Sequence, residues 1–524
     1  VRLGQASQAG RGFFVVLALA VLFLTTTSPS ALARNAYVTN LMSNSVSLLD
    51  TGANQVLGAQ TPVGFEPRAI AITPDGKFAY VVNEFSKTVS VINAQTNQTV
   101  GSPIPVGLAP AAIAISPDGK TAYVVNHNSK TVSVIDIQAN QVVGVPIPVG
   151  EGPDAIAISP DGKTAYVANL DSNNVSVIDT QTNQVVGSPI AVEKHPRRIS
   201  ITPGGRFIYV TNGGSASVSV IDAVTHFVSP PIAVGPTPDA IAISPDGKSA
   251  YVTSDSLGNV SVIDTQANQV VGSPIPVGNG PVAVASAPNG KFVYVVNEGA
   301  NSLSVIDAAT HFVSSPIAVG KSPTDIAIVP DQAPRASVEA GSSARPGMPA
   351  GFNASASSDP DGSIARYDWT FGDGATGPNA GPVVSHAYAT PGVYRWTLTL
   401  TDAEGCSTST VFTGQTASCN GSPLASQSQT ITVAYPGVGL KCPKRAKPRG
   451  CKFKLHAVTK KRKGKSESKV AKAKAKAGHS VVVSLVPNNA FATKLDTATK
   501  VLVKETVTID GSTKSLFRKL KIVQ

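Results

Sequence analysis

The sequence predicts an all-β protein whose main body is a seven-bladed β-propeller, and three observations predict it. A Tyr-Val motif recurs seven times, and its tyrosines (Tyr37, Tyr80, Tyr123, Tyr166, Tyr209, Tyr251 and Tyr294) stand 43 residues apart with one step of 42. That period is the length of one four-stranded blade. The composition agrees: valine, isoleucine, threonine and serine dominate, with 46 glycines and 39 prolines against two methionines and two tryptophans. Such a mixture favours short strands and tight turns over helices. Finally, at 524 residues the chain is too long for one ordinary domain, so further modules are expected after the ring.

The first segment, 1–33, reads as an export signal. Arg2 and Arg11 precede an unbroken apolar run from Phe13 to Leu24, and Ala31-Leu32-Ala33 forms a small-x-small cleavage site. A retained membrane anchor is the other reading, but the run is short for a bilayer. Later in the chain no apolar stretch approaches membrane length. The mature protein is therefore expected to be secreted, possessing no transmembrane segment.

The ring occupies 34–332. One repeat shows its strands: Ile113–Ser116, Ala122–Asn126, Thr131–Asp136 and Gln141–Val149. Val132 and Val134 alternate with Thr131 and Ser133, as in a half-buried strand. Pro117-Asp118-Gly119 carries turn chemistry between the first two strands. Pro146 and Pro148 fit an outer edge, where a missing N–H costs no ladder bond. Tandem sandwiches are the competing all-β reading, but they need longer units.

Closure follows from the two ends of the repeat array. Tyr37 has no first strand before it, whereas the missing first-strand segment appears at the other end of the array, as Thr324–Asp331. The last strand should therefore complete the first blade. Other blades turn back through Pro-Asp-Gly or a near variant, yet this copy ends Pro330-Asp331-Gln332. The glycine is dispensable where the chain leaves. With AYVTN, AYVVN, AYVAN, IYVTN, AYVTS and VYVVN as its cores, the array resembles the YVTN family of β-propeller repeat proteins, which includes surface-layer-associated proteins.

Ligands of a propeller lie at the channel mouth, on loops that enter strand one or leave strand two. Those loops carry Arg68, Glu84, His127, Asp154, His195, Arg197, Asp239 and Asp325. Asp154, Asp239 and Asp325 are expected at equivalent positions. His127 and His195 are the candidates for acid–base work with a carboxylate. His226 and His311 stand in matching THFVS segments where other blades carry Asn97 or Asn183, so they are expected in turns rather than at a metal. No nucleophile elbow, phosphate loop or HExxH occurs.

The character changes over 333–435. Asp359-Pro360-Asp361-Gly362 precedes YDWTFGDG (367–374) and GVYRWTLTLTD (392–402). These runs resemble the PKD family, which implies an Ig-like β-sandwich acting as an extracellular spacer or adhesion module. Trp369 and Phe371 should face its core, with Gly372–Gly374 as a turn. Asp359 and Asp361 offer paired carboxylates for calcium, or else a hydrogen-bonded turn. Cys406 to Cys419 departs from the short ending of such a domain and reads as an insertion pinned by a disulfide. Cys442 and Cys451 are the remaining cysteines. Proximity favours Cys406–Cys419 and Cys442–Cys451, though sequence alone leaves the pairing open. No CxxC occurs.

The last unit, 436–524, is a small basic β-domain with a Lys/Ala-rich loop, Lys460–Lys476. Strand-like runs are Lys452–Val458, Ser480–Val486, Lys500–Ile509 and Ser515–Val523, expected as a small sandwich. From Lys441 onward 23 Lys and Arg face 4 Asp and Glu, a net +19 in a chain of net +11, so residues 1–440 carry −8. The tail is either a partner for a cell-wall or surface polyanion or a solvated loop. Sequence-specific nucleic-acid binding is not expected, because aromatics for stacking are nearly absent there. Two functional readings stand. One is a non-catalytic scaffold that binds a protein or glycan ligand on the propeller. The other is a propeller enzyme, lactonase- or lyase-like, acting at the mouth. No cofactor is expected beyond calcium in the PKD-like module.

Overall fold

The computed structural model describes residues 35–435 and six strands between Gly437 and Val523. The expected signal peptide, 1–33, and Cys442 lie outside the described residues, and with Cys442 so does its pairing to Cys451. Among the described residues no helix is long and apolar enough to cross a membrane.

Seven antiparallel sheets surround a channel. Blades 2 to 7 begin on the inner strands Pro67–Ile72, Pro110–Ile115, Pro153–Ile158, Pro196–Ile201, Pro238–Ile243 and Pro281–Ser286. Blade 1 closes as the sequence implies. Its inner strand is Pro323–Ile328, paired to Asn35–Asn40 with Tyr37 opposite Ala327, and then come Ser45–Asp50 and Gln55–Pro62. The ring is thus held by a β-ladder between its first and last strands.

Two details differ from expectation. Thr131–Asp136 is buried on both faces rather than one, because a neighbouring blade covers each side. Its inward polar group is satisfied: Ser133 Oγ accepts from Asn126 Nδ2 at 2.9 Å. The outer strand expected at Gln141–Val149 is two short pieces, Gln141–Val142 and Ile147–Pro148. Between them Gly144 sits at φ +70°. In blades 1 and 6 the outer strand stays continuous, at Gln55–Pro62 and Gln269–Pro276.

The repeat tyrosines latch each blade to the next. Tyr37 donates to Asn97 Oδ1 at 2.5 Å, Tyr80 to Asn140 at 2.5 Å, Tyr123 to Asn183 at 2.8 Å and Tyr209 to Asn268 at 2.6 Å. Tyr294 reaches Asn54 of blade 1 at 3.1 Å. Each asparagine occupies a left-handed turn with φ between 52° and 55°. In blades 5 and 7 that turn carries His226 and His311, at φ 57° and 59°. They are turn residues, and Tyr166 and Tyr251 face a blade with no asparagine to accept. Burial pushes Tyr80, Tyr123, Tyr209 and Tyr294 up to about 12, so the donors stay protonated. Tyr80→Phe should lower unfolding free energy by about 1 kcal/mol, the usual net worth of a buried hydrogen bond. Tyr166→Phe should cost less than about half of that by the same measure. Urea unfolding midpoints of the two variants check the difference.

The second module packs a three-stranded sheet (Glu339–Ala340, Pro349–Asn353, Val383–Ala387) against a five-stranded one built around Gly392–Asp402. Trp396, Leu398 and Leu400 alternate inward on that strand and are fully buried. Phe352, Trp369, Phe371 and Tyr388 complete the core, with Trp369 Nε1 donating to Gly381 O at 3.0 Å. Gly372 and Gly374 take left-handed φ of 82° and 95° in the expected turn. The basic unit is one six-stranded antiparallel sheet in the order Ala471–Ala475, Cys451–Ala457, Lys500–Ile509, Ser512–Val523, Gly437–Lys441, Ser480–Ser484. Ala471–Ala475 is a strand inside the segment expected as loop, and it pairs with Cys451–Ala457.

Candidate functional site

The mouth is built by a shared local geometry. The residue before the proline of each inner strand has positive φ: Glu66, Ala109, Gly152, His195, Thr237, Gly280 and Ser322. The residue after the proline then sits at the rim. Arg68, Asp154, Arg197 and Asp239 hold that position in blades 2, 4, 5 and 6, and small residues hold it in blade 3. Arg68 bonds Glu84 at 2.9 Å and crosses to Asp154 at 3.0 Å. Arg198 reaches the other oxygen of Asp154 at 3.5 Å, and Arg197 reaches Asp239 at 3.5 Å. Burial raises Asp239 against the opposing pull of Arg198 and Arg197. Burial and then Asp255 raise Glu298 on the same rim. Three arginines therefore face six carboxylates, counting Asp325, and the mouth is acidic.

One step further in, Asp325 lines the channel. Burial pushes its carboxyl up to about 6, although Arg198 and two backbone N–H groups (Ile70 at 3.0 Å, Ile326 at 2.9 Å) favour the charge. Contrary to the sequence expectation, Asp325 does not stand at the position of Asp154 and Asp239. It pairs with Thr39, as Ala69 pairs with Val82 and Ala155 with Ala168. Thr324 is the residue that matches Asp154.

The far end of the channel is stoppered. Cys406 and Cys419 form a disulfide, and the loop between them enters the ring. Four successive blades each donate one inner-strand N–H to it. Ile201 bonds Thr413 O at 2.8 Å, Ile158 bonds Gly414 O at 2.7 Å, Ile115 bonds Gln415 O at 3.1 Å and Ile72 bonds Thr416 Oγ1 at 3.2 Å. Inner strands are sheet edges, so these donors otherwise lack a strand partner. Phe412 and Ala417 are buried with Ala112, Ala114, Ile156 and Ile158. A cavity of about 90 Å³ remains between this plug and the walls, lined by Ile70, Ile199, Ile241 and Asp325. The channel is a blind pit.

The plug stands on an acidic seam between the ring and the second module. Asp331 follows the last inner strand, and its backbone pairs with the plug (N–H to Ser418 O at 2.9 Å; O from Asn420 N–H at 3.0 Å). Its carboxylate, that of Asp402 and the disulfide-bonded sulfur of Cys406 lie within 4.8 Å of one another. Asp361 accepts the Gln332 N–H at 3.0 Å, and Asp402 Oδ1 accepts three N–H groups from Glu404 to Cys406. Burial, reinforced by the neighbouring carboxylates, pushes Asp331 up to about 9, Asp361 to about 7 and Asp402 to about 6. The expected calcium pair Asp359 and Asp361 falls in this cluster.

Of the expected mouth residues, the structure brings Arg68, Glu84, His127, Asp154, Arg197 and Asp239 to one rim. His127 Nδ1 lies 3.3 Å from Pro153 O and 4.0 Å from Asp154 Oδ1. His195 does not join them. Its left-handed backbone holds it exposed, with its ring beside Gly214. The expected histidine pair is therefore not assembled. Sequence reasoning missed Arg198, Asp331, Asp402, Glu404 and the plug. Arg198 had a signal, because it stands where five blades carry alanine; the others had none.

Comparison with known proteins covers the same modules. The family described as "Lactonase, 7-bladed beta-propeller" matches 34–189 and 153–226. A YNCE-like beta-propeller matches 246–335, and a PKD domain matches 331–416. A microbial collagenase of Vibrio alginolyticus is 37% identical over 78 residues, which is 15% of this chain and 9% of the collagenase. The chain thus spans under a tenth of that curated relative. Among solved structures, hydrazine synthase of Kuenenia stuttgartiensis aligns with TM-score 0.49 at 29% identity, covering 54% of this chain and 94% of that one. A functionally unknown protein of Desulfotomaculum acetoxidans aligns with TM-score 0.50 at 19% identity, covering 56% and 98%.

Proposed function

Because the chain is a seven-bladed β-propeller joined to a PKD domain, we propose that it is an exported, non-catalytic scaffold that binds a protein partner on its mouth face. One observation carries this reading. Met42, Phe65 and Phe85 project from adjacent loops of that face at 70%, 62% and 69% exposure. The two phenyl rings meet edge to face, 6.5 Å apart. With Leu41 they line an open cavity of about 480 Å³ beside the acidic mouth. Exposed apolar clusters rimmed by polar groups mark interaction sites, and the excess of carboxylates selects a segment carrying basic as well as apolar side chains. The basic tail adds a second contact, to envelope polyanion.

The test is retention on isolated cell envelopes. Phe65→Ser with Phe85→Ser should lower retention roughly tenfold or more, since buried aromatic anchors are worth about 2 kcal/mol each. Deleting the tail should remove the salt-sensitive part. Undiminished retention by the double variant would sink the mouth-face reading.

A lactonase-like activity is the second reading, supported by the family match over 34–226 and by His127 beside Asp154. Against it, both oxygens of Asp154 are held by arginines, so that carboxylate is poorly placed to take a proton. Turnover of a sugar-lactone panel that His127→Ala abolishes would establish it.

A further inference from the structure

Resting on the mouth-face reading above, we propose that the partner is a second copy of this chain, which lays its segment 458–463 along the mouth so that copies join head to tail. The receiving groove has two adjoining parts. The apolar part is the cleft of Met42, Phe65 and Phe85. The acidic part is a cavity of about 610 Å³ lined by Asp255, Asn279, Gly280 and Glu298, and it shares Met42 and Lys321 with the first. The two thus run as one groove over blades 6, 7, 1 and 2. Burial and then the charge of Asp255 raise Glu298, while Asp239 feels Asp255 and in turn raises Glu298. Asp239 is only 8% exposed, and its Oδ1 has no hydrogen-bond partner. Crowded carboxylates with an unsatisfied oxygen favour an incoming cation.

The chain carries a segment that matches. Residues 458–463 read VTKKRK, an apolar residue and a threonine followed by four bases. Val458 suits the phenyl cleft, and the bases suit the carboxylates beyond it. Lys321, at the junction, repels a base placed there and so sets the direction of the segment. The charge of the whole chain divides in the same sense, −8 over residues 1–440 against +19 from Lys441 onward. The basic unit starts on the side away from the mouth. Asp402 lies at the seam, and Gly392, ten residues back along the same strand, pairs with Val433. The chain therefore leaves the PKD domain, three residues before Gly437, at the end remote from the ring. Roughly 50 Å separates that point from the mouth, at about 3.3 Å per residue along this strand and then along an inner strand of the ring. A second copy meets the groove without that detour. One surface gives and a different one receives, so the contact is heterologous and repeats from copy to copy.

Sedimentation velocity of the whole chain is the experiment. The mean mass should rise with concentration at low salt and return to the monomer in about 1 M salt, where the screening length is about 3 Å. Phe65→Ser alone should weaken association about tenfold or more, as loss of an aromatic anchor does. Phe65→Ser with Glu298→Gln removes the receiving groove. Lys460→Ser with Lys461→Ser, Arg462→Ser and Lys463→Ser removes the donor. Each of these two variants should stay monomeric where the parent associates. Their equimolar mixture should form a heterodimer and nothing longer, because each retains the half that the other lacks. Thermal unfolding of both should match the parent, since Phe65 is 62% exposed. A parent that stays monomeric at its highest soluble concentration, or a mixture that does, would overturn capture of a second copy. Should Phe65→Ser with Phe85→Ser still lower envelope retention in that case, the mouth serves a different protein and the mouth-face reading stands. Association that survives the loss of either half would overturn the head-to-tail contact.

Discussion

Gly414→Val should eject the plug from the channel. Gly414 sits at φ +126° inside the ring, and a Cβ there would lie 2.7 Å from Ala157 Cβ. Two costs add. A side chain at that φ is strained by about 1–3 kcal/mol, and forcing atoms into a packed wall costs about 1–3 kcal/mol more. The total cannot exceed the docking free energy of the plug, because the loop has the alternative of leaving. Undocking would expose Phe412 and strand the inner-edge N–H groups of four blades. Rapid chymotryptic cleavage after Phe412, with a lower unfolding temperature, is the expected result. A protected Phe412 in this variant would mean that the loop is not wedged as described. Thr413→Val is the control, since it leaves the backbone bond from Ile201 intact.

Asp325→Asn should change the sign of its effect with pH. Burial pushes the carboxyl up to about 6 in the folded chain, from its ordinary value of 3.8. Below about pH 4 both states hold the proton and the group costs nothing. Between about pH 4 and 6 the unfolded chain releases it first, so stability falls as pH rises. Above about pH 6 the full penalty applies, roughly 3 kcal/mol for a shift of about two units. Asparagine avoids that penalty but can accept only one of the two backbone N–H bonds, a loss of about 1 kcal/mol. The variant should therefore be slightly weaker than the parent near pH 4 and stronger by about 2 kcal/mol near pH 8, on the same principles. Urea midpoints at the two pH values read this directly. Parallel curves at both pH values would show that Asp325 is not desolvated in the channel.

These two residues mark where the sequence is silent. Asp325 is a plain aspartate in a repeat whose neighbours carry alanine. Its importance comes from facing the channel axis, which no local pattern reports. Gly414 lies in a low-information stretch, CSTSTVFTGQTASC, whose pinned ends were legible but whose destination was not. By contrast, His226 and His311 were readable as turn residues, because five other blades place asparagine there. His195 was misplaced at the mouth for want of one fact: the residue before each proline is left-handed and carries its side chain outward.

The seven-bladed ring is what the sequence determined by itself. Its period, its Tyr-Val strands and the orphan strand at Thr324 define the blade count and the closure, since a repeat that buries its faces only against copies of itself must write that need into every copy. The PKD core was legible for a similar reason, with Trp369 near the end of its strand and Phe371 just beyond it, two residues apart. What only the tertiary structure decided is how the modules meet. The plug in the channel, the cross-blade pairing of Arg68 with Asp154 and the seam of Asp331, Asp361 and Asp402 join residues 30 and more positions apart. No periodicity encodes such contacts, because each is made once, and its free energy exists only after the ring has closed and excluded water.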